Sequence, residues 1–71
     1  MSESVYKVIE LVGTSTESWE KATAHAIEVA SKKLNDLRIA EVIQMDAQIE
    51  SGKIVQYRTK LKVSFKYHID E

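Results

Sequence analysis

Cysteine is absent from this chain of 71 residues. Disulfides, the usual staple of small secreted domains, are therefore excluded, and a reducing compartment is the natural setting. Proline is absent too, and with no low-complexity segment, internal repeat or shift in composition there is nothing to mark a linker, so residues 1–71 read as one domain. Long apolar runs are missing. The opening MSESVYKVIE is broken by charges, which predicts neither a signal peptide nor a membrane anchor and implies a cytoplasmic protein. An excess of one charge is also lacking: ten Lys and Arg against eleven Asp and Glu leave a net charge of −1, which argues against a general binder of polyanions. A domain this small removes only about 60% of its unfolded area from water, so help from an oligomer is expected.

What is present is led by a two-strand run from Arg38 to Tyr67. Every second residue from Ile39 gives Ile39, Ile43, Met45, Ala47 and Ile49, with Glu41 the exception, while Gln44, Asp46, Gln48 and Glu50 lie between. After Ser51-Gly52 the alternation resumes as Val55, Tyr57, Thr59, Leu61, Val63, Phe65 and Tyr67, opposed by Gln56, Arg58, Lys60, Lys62, Ser64 and Lys66. This is the period-2 pattern of half-buried strands. A two-residue loop mixes the faces, so the expected connection is a three-residue loop of Ser51, Gly52 and Lys53, or an equivalent bulge at Gly52. That register sets Ile49 against Val55, Ala47 against Tyr57, Ile43 against Leu61, Ile39 against Phe65 and, on the polar face, Asp46 against Arg58.

Upstream, Val5 to Val12 reads VYKVIELV, a strand with apolar residues at both parities that wants cover on both sides. Gly13 is expected to end it. Thr14, Ser15 and Thr16 offer N-cap oxygens, with Glu17 at capping-box spacing from Thr14. A helical stripe of Trp19, Ala22, Thr23, Ala26, Ala30 and Leu34, widened by Ile27, follows, with Trp19 expected in the core. The order predicts an α+β fold, β-α-β-β, with a three-stranded antiparallel sheet curled around one helix. One sheet face is then left for solvent, a cavity or partners, and a neighbouring subunit is the natural cover.

No nucleophile with its base, phosphate-cradling glycine loop or paired-carboxylate motif is present, and His25 and His68 do not make a metal site, so an enzyme is not expected. The strip Arg58, Lys60, Lys62 and Lys66 reads as protection of an exposed strand rather than a nucleic-acid site, since Tyr57, Phe65 and Tyr67 have the opposite parity. Asp46, Glu50 and Glu41 are the candidate cation ligands. Calcium takes about six to eight oxygens, so they need symmetry mates or water. The competing reading pairs Asp46 with Arg58 and leaves Glu50 solvated beside a turn. Glu41, a carboxylate at an apolar position, reads as a rim residue or as one half of an interface salt bridge.

VYKVIELVGTS, a capped helix opening TESW, then IAEV and YRTKLKVSF, in this order and spacing, resemble a dodecin from end to end of the chain. The resemblance implies a β-α-β-β subunit, a hollow homododecamer, and storage of flavins, riboflavin or FMN, in paired sites near subunit interfaces. At the two positions matching the family's ring contacts the chain differs. Ile39 stands where flavin-binding dodecins stack a tryptophan on the isoalloxazine, and Arg58 where they hydrogen-bond it with a glutamine. Losing the aromatic partner, which contributes roughly 0.5–1.5 kcal/mol beyond area burial, weakens flavin binding by this reasoning. SW at the helix start and R-x-A-x-V at the second strand are similar to the branch of dodecins described as calcium-binding. The expectation is a non-enzymatic homododecamer that sequesters small ligands or cations, calcium among them, with flavin storage and a ligand-free scaffold as alternatives, and with neither nucleic acid nor membrane as partner.

Overall fold

The structure, a computed structural model, describes residues 3–67. Strand β1 (Tyr6–Ser15) is followed by helix α1 (Trp19–Ser31) and by a long hairpin, β2 (Leu37–Glu50) and β3 (Lys53–Lys66). The three strands form one antiparallel sheet in the order β1-β3-β2, with α1 on one face, the α+β arrangement expected.

Central β3 shows why the sheet has two unlike faces. Thr59, Leu61 and Val63 are buried beneath the helix, while Arg58, Lys60 and Lys62 between them are exposed. On β1, Ile9 stands opposite Val63 and Leu11 opposite Leu61, and both pack into the same core with Ala26, Ile27 and Leu37. Gly13 does not end β1 as expected. It lies within the strand opposite Thr59, where Ala22 and Ala26 of α1 pass directly over it. Because the ladder runs on through Thr14 and Ser15, the helix also starts later than the hydroxyl cluster implied. Ser18 is the N-cap, its Oγ accepting from the Lys21 backbone N–H at 3.0 Å. Ser15 Oγ instead accepts from the Glu17 N–H at 3.0 Å.

The hairpin departs from the expected register at three irregularities. Its turn is the two-residue Ser51-Gly52 connection that face-matching had excluded, with Ser51 at φ 52° and Gly52 at φ 76°, and Glu50 pairs with Lys53. Val55 is then the extra residue of a bulge, which restores Ala47 opposite Tyr57 and Asp46 opposite Arg58 as expected. A second bulge at Ile43 reverses parity again, so Val42, not Ile43, stands opposite Leu61. The ladder then runs unbroken to Ile39, which stands opposite Ser64 rather than Phe65, and Arg38 makes a third irregularity that leaves Leu37 opposite Phe65. Ile39 and Glu41 therefore share the outer face with Ser64 and Lys62. Glu41 fits the sheet once the bulge is known; it is exposed opposite Lys62.

A helix of 13 residues is about 20 Å long and a strand of 14 about 48 Å. The helix thus covers less than half of the hairpin, and the fold is elongated, 56 × 20 × 14 Å. Among the described residues the enclosed apolar ones are Ala22, Ala26, Leu61 and Val63, whereas Val8, Val12, Ile39, Val42, Met45, Ile49 and Ile54 are exposed.

Candidate functional site

On the outer sheet face, cross-strand pairing puts Asp46 beside Arg58, and the guanidinium grips the carboxylate with two bonds. Arg58 Nε donates to Asp46 Oδ1 at 2.8 Å and Nη2 to Oδ2 at 2.9 Å. This hydrogen-bonded cation holds the Asp46 carboxyl below the usual carboxylate range and raises Arg58 further above its own. The backbone beneath the pair is pinned from the helix side. Trp19 Nε1–H donates to the Asp46 carbonyl at 2.9 Å, its ring meets Tyr57 edge-on at 4.8 Å and 72°, and Thr59 Oγ1 donates to the Trp19 carbonyl at 3.2 Å. Trp19 is half-buried rather than enclosed, because its ring sits where α1 stops covering the sheet.

Lys60 and Lys62 of β3 also face acids. Lys60 Nζ lies 3.7 Å from Glu10 Oε1, and Lys62 stands between Glu10 on β1 and Glu41 on β2. Charge on this face is balanced across strands, which is not the geometry of a phosphate cradle. Of the aromatics expected to turn inward, Tyr57 and Phe65 are half-buried, but Tyr67 is 48% exposed.

The two positions singled out for a flavin, Ile39 and Arg58, are on the same face but far apart. Ile39 is opposite Ser64, six residues along β3 from Arg58, a separation of about 20 Å. Within one chain they do not meet across a ring. Nor are Glu41, Asp46 and Glu50 gathered: Asp46 is bound by Arg58, Glu50 accepts weakly from Gln48 Nε2 at 3.4 Å, and Glu41 lies beyond the Ile43 bulge. Among the described residues no group of three or more His, Asp or Glu is placed to hold a metal ion. His25 is exposed on α1, and His68 is outside the described residues.

One feature escaped sequence reasoning: an apolar groove of about 420 Å³ between α1 and β2, lined by Trp19, Thr23, Ile27, Val42 and Met45, with Glu20 at its side. Val42 reaches it only because the bulge at Ile43 reverses parity. The signal was the misfit of Glu41 followed by the doublet Val42-Ile43, the mark of an inserted residue in an alternating strand.

A short helix over part of a three-stranded antiparallel sheet, with a charge-paired outer face and an open apolar groove, defines a small α+β protein whose surfaces are available to ligands or further chains. The chain belongs to the dodecin family, whose profile matches residues 5–68. It is 49% identical over 63 residues to the calcium dodecin of Mycobacterium tuberculosis, spanning 89% of each chain. Among solved structures it is similar to dodecin from Streptomyces coelicolor, with a TM-score of 0.93 and 36% identity over 99% of this chain and 100% of that one. The calcium dodecin of M. tuberculosis, described as calcium-chelating with a novel calcium-binding site, gives a TM-score of 0.82 and 46% identity, covering 96% and 97% of the two chains. No helix of the described residues is long and apolar enough to cross a membrane.

Proposed function

We propose that this dodecin is a non-enzymatic protein, residues 1–71 acting as one domain, that assembles into a hollow homododecamer in the cytoplasm and sequesters small ligands or cations between copies, with the family's flavin mode weakened. The observation that carries the reading is the outer face itself. An aliphatic Ile39 takes the stacking position, and Arg58, at the position of the neutral ring contact, is already committed to Asp46 through both oxygens. A planar neutral ring gains no stacking from Ile39 and must compete with a charge-assisted fork at Arg58.

Likeness to a calcium dodecin supports a cation as one of the ligands. A single chain does not fit calcium, since Glu41, Asp46 and Glu50 are dispersed and Asp46 is neutralised by Arg58. Any shell of about six to eight oxygens must be completed by carboxylates of other copies, with Glu50 and Glu41 the freer donors. The test is native mass spectrometry of the purified protein with added riboflavin or FMN, and before and after calcium removal. A homododecamer that takes up calcium and no flavin supports the reading. A homododecamer loaded with flavin overturns the weakened flavin mode, and a monomer overturns the assembly.

A further inference from the structure

We propose that the tip of the β2–β3 hairpin of one copy seats in the α1–β2 groove of the next, so that each copy gives one surface and receives the other. The inference rests on the homo-oligomeric reading above and specifies which surfaces meet. Helix cover stops at Trp19, whose indole reaches Asp46 and Tyr57. Beyond that point β2 and β3 run on alone to the Ser51-Gly52 turn, and the segment carries Ile49 at 65% exposure, Ile54 at 49% and Val55 at 38%. Ile49 and Ile54 are ladder partners on one face, and Val55 is the bulge residue beside them. The tip is thus a polar Glu50-Ser51-Gly52-Lys53 turn backed by an exposed apolar patch, on a paired ribbon that its own helix does not cover.

The groove is the complementary surface. Trp19, Thr23, Ile27, Val42 and Met45 line about 420 Å³ of open, mostly apolar space, with Met45 at 58% exposure on its wall. Charge matches as well. Glu20 borders the groove and Lys53, the ladder partner of Glu50, flanks the tip, and among the described residues neither Glu20 nor Lys53 has an ion-pair partner within the chain. Tip and groove are different surfaces, so the contact can repeat head to tail. Repeated in that way it forms a ring where the rotation closes, a geometry compatible with a closed shell of more than two copies.

The natural chain has no cysteine, so an engineered pair is the only possible disulfide. Ala24→Cys on the groove and Ile54→Cys on the tip are both placed at exposed positions. After mild oxidation the double variant is expected to run in denaturing gels as a covalent ladder of two or more chains, while each single variant runs as one. An intact assembly by native mass spectrometry without a ladder overturns the tip-in-groove contact and leaves the homododecamer standing. A wild-type monomer overturns both, and covalent dimers in either single variant overturn the heterologous pairing. Should the cysteine pair fail to fold, the charge exchange decides. Glu20→Lys or Lys53→Glu alone is expected to weaken assembly severalfold, and the two together to return it to within about twofold of wild type. A combined loss as large as the two single losses multiplied overturns the contact.

Discussion

At Gly13 the helix and sheet approach more closely than any side chain permits. A Cβ built there lies 2.1 Å from the Ala22 carbonyl oxygen and 2.9 Å from Ala26 Cβ, backbone and short side chain that have no rotamer by which to yield. Gly13→Ala is therefore expected to cost about 3 kcal/mol or more by forcing α1 off the sheet, read as a lowered denaturation midpoint. Gly52 is the contrasting case. Nothing lies within 4 Å of its Cβ position, but its φ is 76°, so Gly52→Ala is expected to cost about 1 kcal/mol through backbone strain alone, with helix packing unchanged. Equal losses at the two sites would refute this division. Asp46 makes the pH prediction. Its folded carboxyl is lowered by the Arg58 hydrogen bonds, so the stability from this pair is fully present above the unfolded carboxylate value near 3.8 and is lost as pH falls through the folded value. Glu17, lowered by its bond to Lys21, loses its contribution in the same acid window. Comparing thermal midpoints of wild type and Asp46→Asn, the gap is expected to be constant from about pH 5 to pH 8 and to close at strongly acid pH. A gap that persists after the carboxylate is protonated would assign the effect to something other than the ion pair.

Where each element begins and ends depends on pairing across the fold more than on local composition. Four hydroxyl residues precede α1, and local rules favoured the first three. Thr14 and Ser15 are instead ladder partners of Arg58 and Tyr57, which leaves Ser18 to cap. Ser18→Ala is accordingly expected to destabilise by about 1 kcal/mol and the exposed Thr16→Ala by only a few tenths, measured by chemical denaturation; a larger effect at Thr16 would move the cap. The same long-range dependence explains what was legible in the residues and what was not. The two faces of β3 could be read directly, because Thr59, Leu61 and Val63 alternate with Arg58, Lys60 and Lys62 without interruption. The Asp46–Arg58 pair was also legible, since it lies in the stretch of hairpin between the Ile43 and Val55 bulges where the simple register holds. Bulges are backbone choices that no single residue dictates. Hence the positions beyond them, Ile39, Glu41, Val42 and Ile49, were given the wrong partners or the wrong face, and the groove that Val42 lines was not foreseen.

For the whole molecule, the proportion of enclosed to open apolar surface decides what the chain must do in solution. Leu61 and Val63 are the only large apolar side chains fully enclosed among the described residues, while Ile39, Met45 and Ile49 are each more than half exposed. A fully buried aliphatic side chain contributes about 1.5–3 kcal/mol, so two of them with a few half-buried neighbours offset little of the ordering cost of so short a chain. The exposed residues lie on the outer sheet face, in the groove and at the hairpin tip, spread along a fold 56 Å long and over both sheet faces, so one small contact does not cover them all. In the proposed assembly, contacts of more than one kind would supply the missing burial, and folding would be linked to protein concentration. The thermal midpoint is therefore expected to fall by several degrees on dilution from about 100 μM to about 1 μM, while a covalently cross-linked assembly shows no such dependence. A midpoint indifferent to dilution in a chain that sediments as a monomer would mean that the small enclosed core is sufficient by itself, and the argument from exposed apolar surface to assembly would fail.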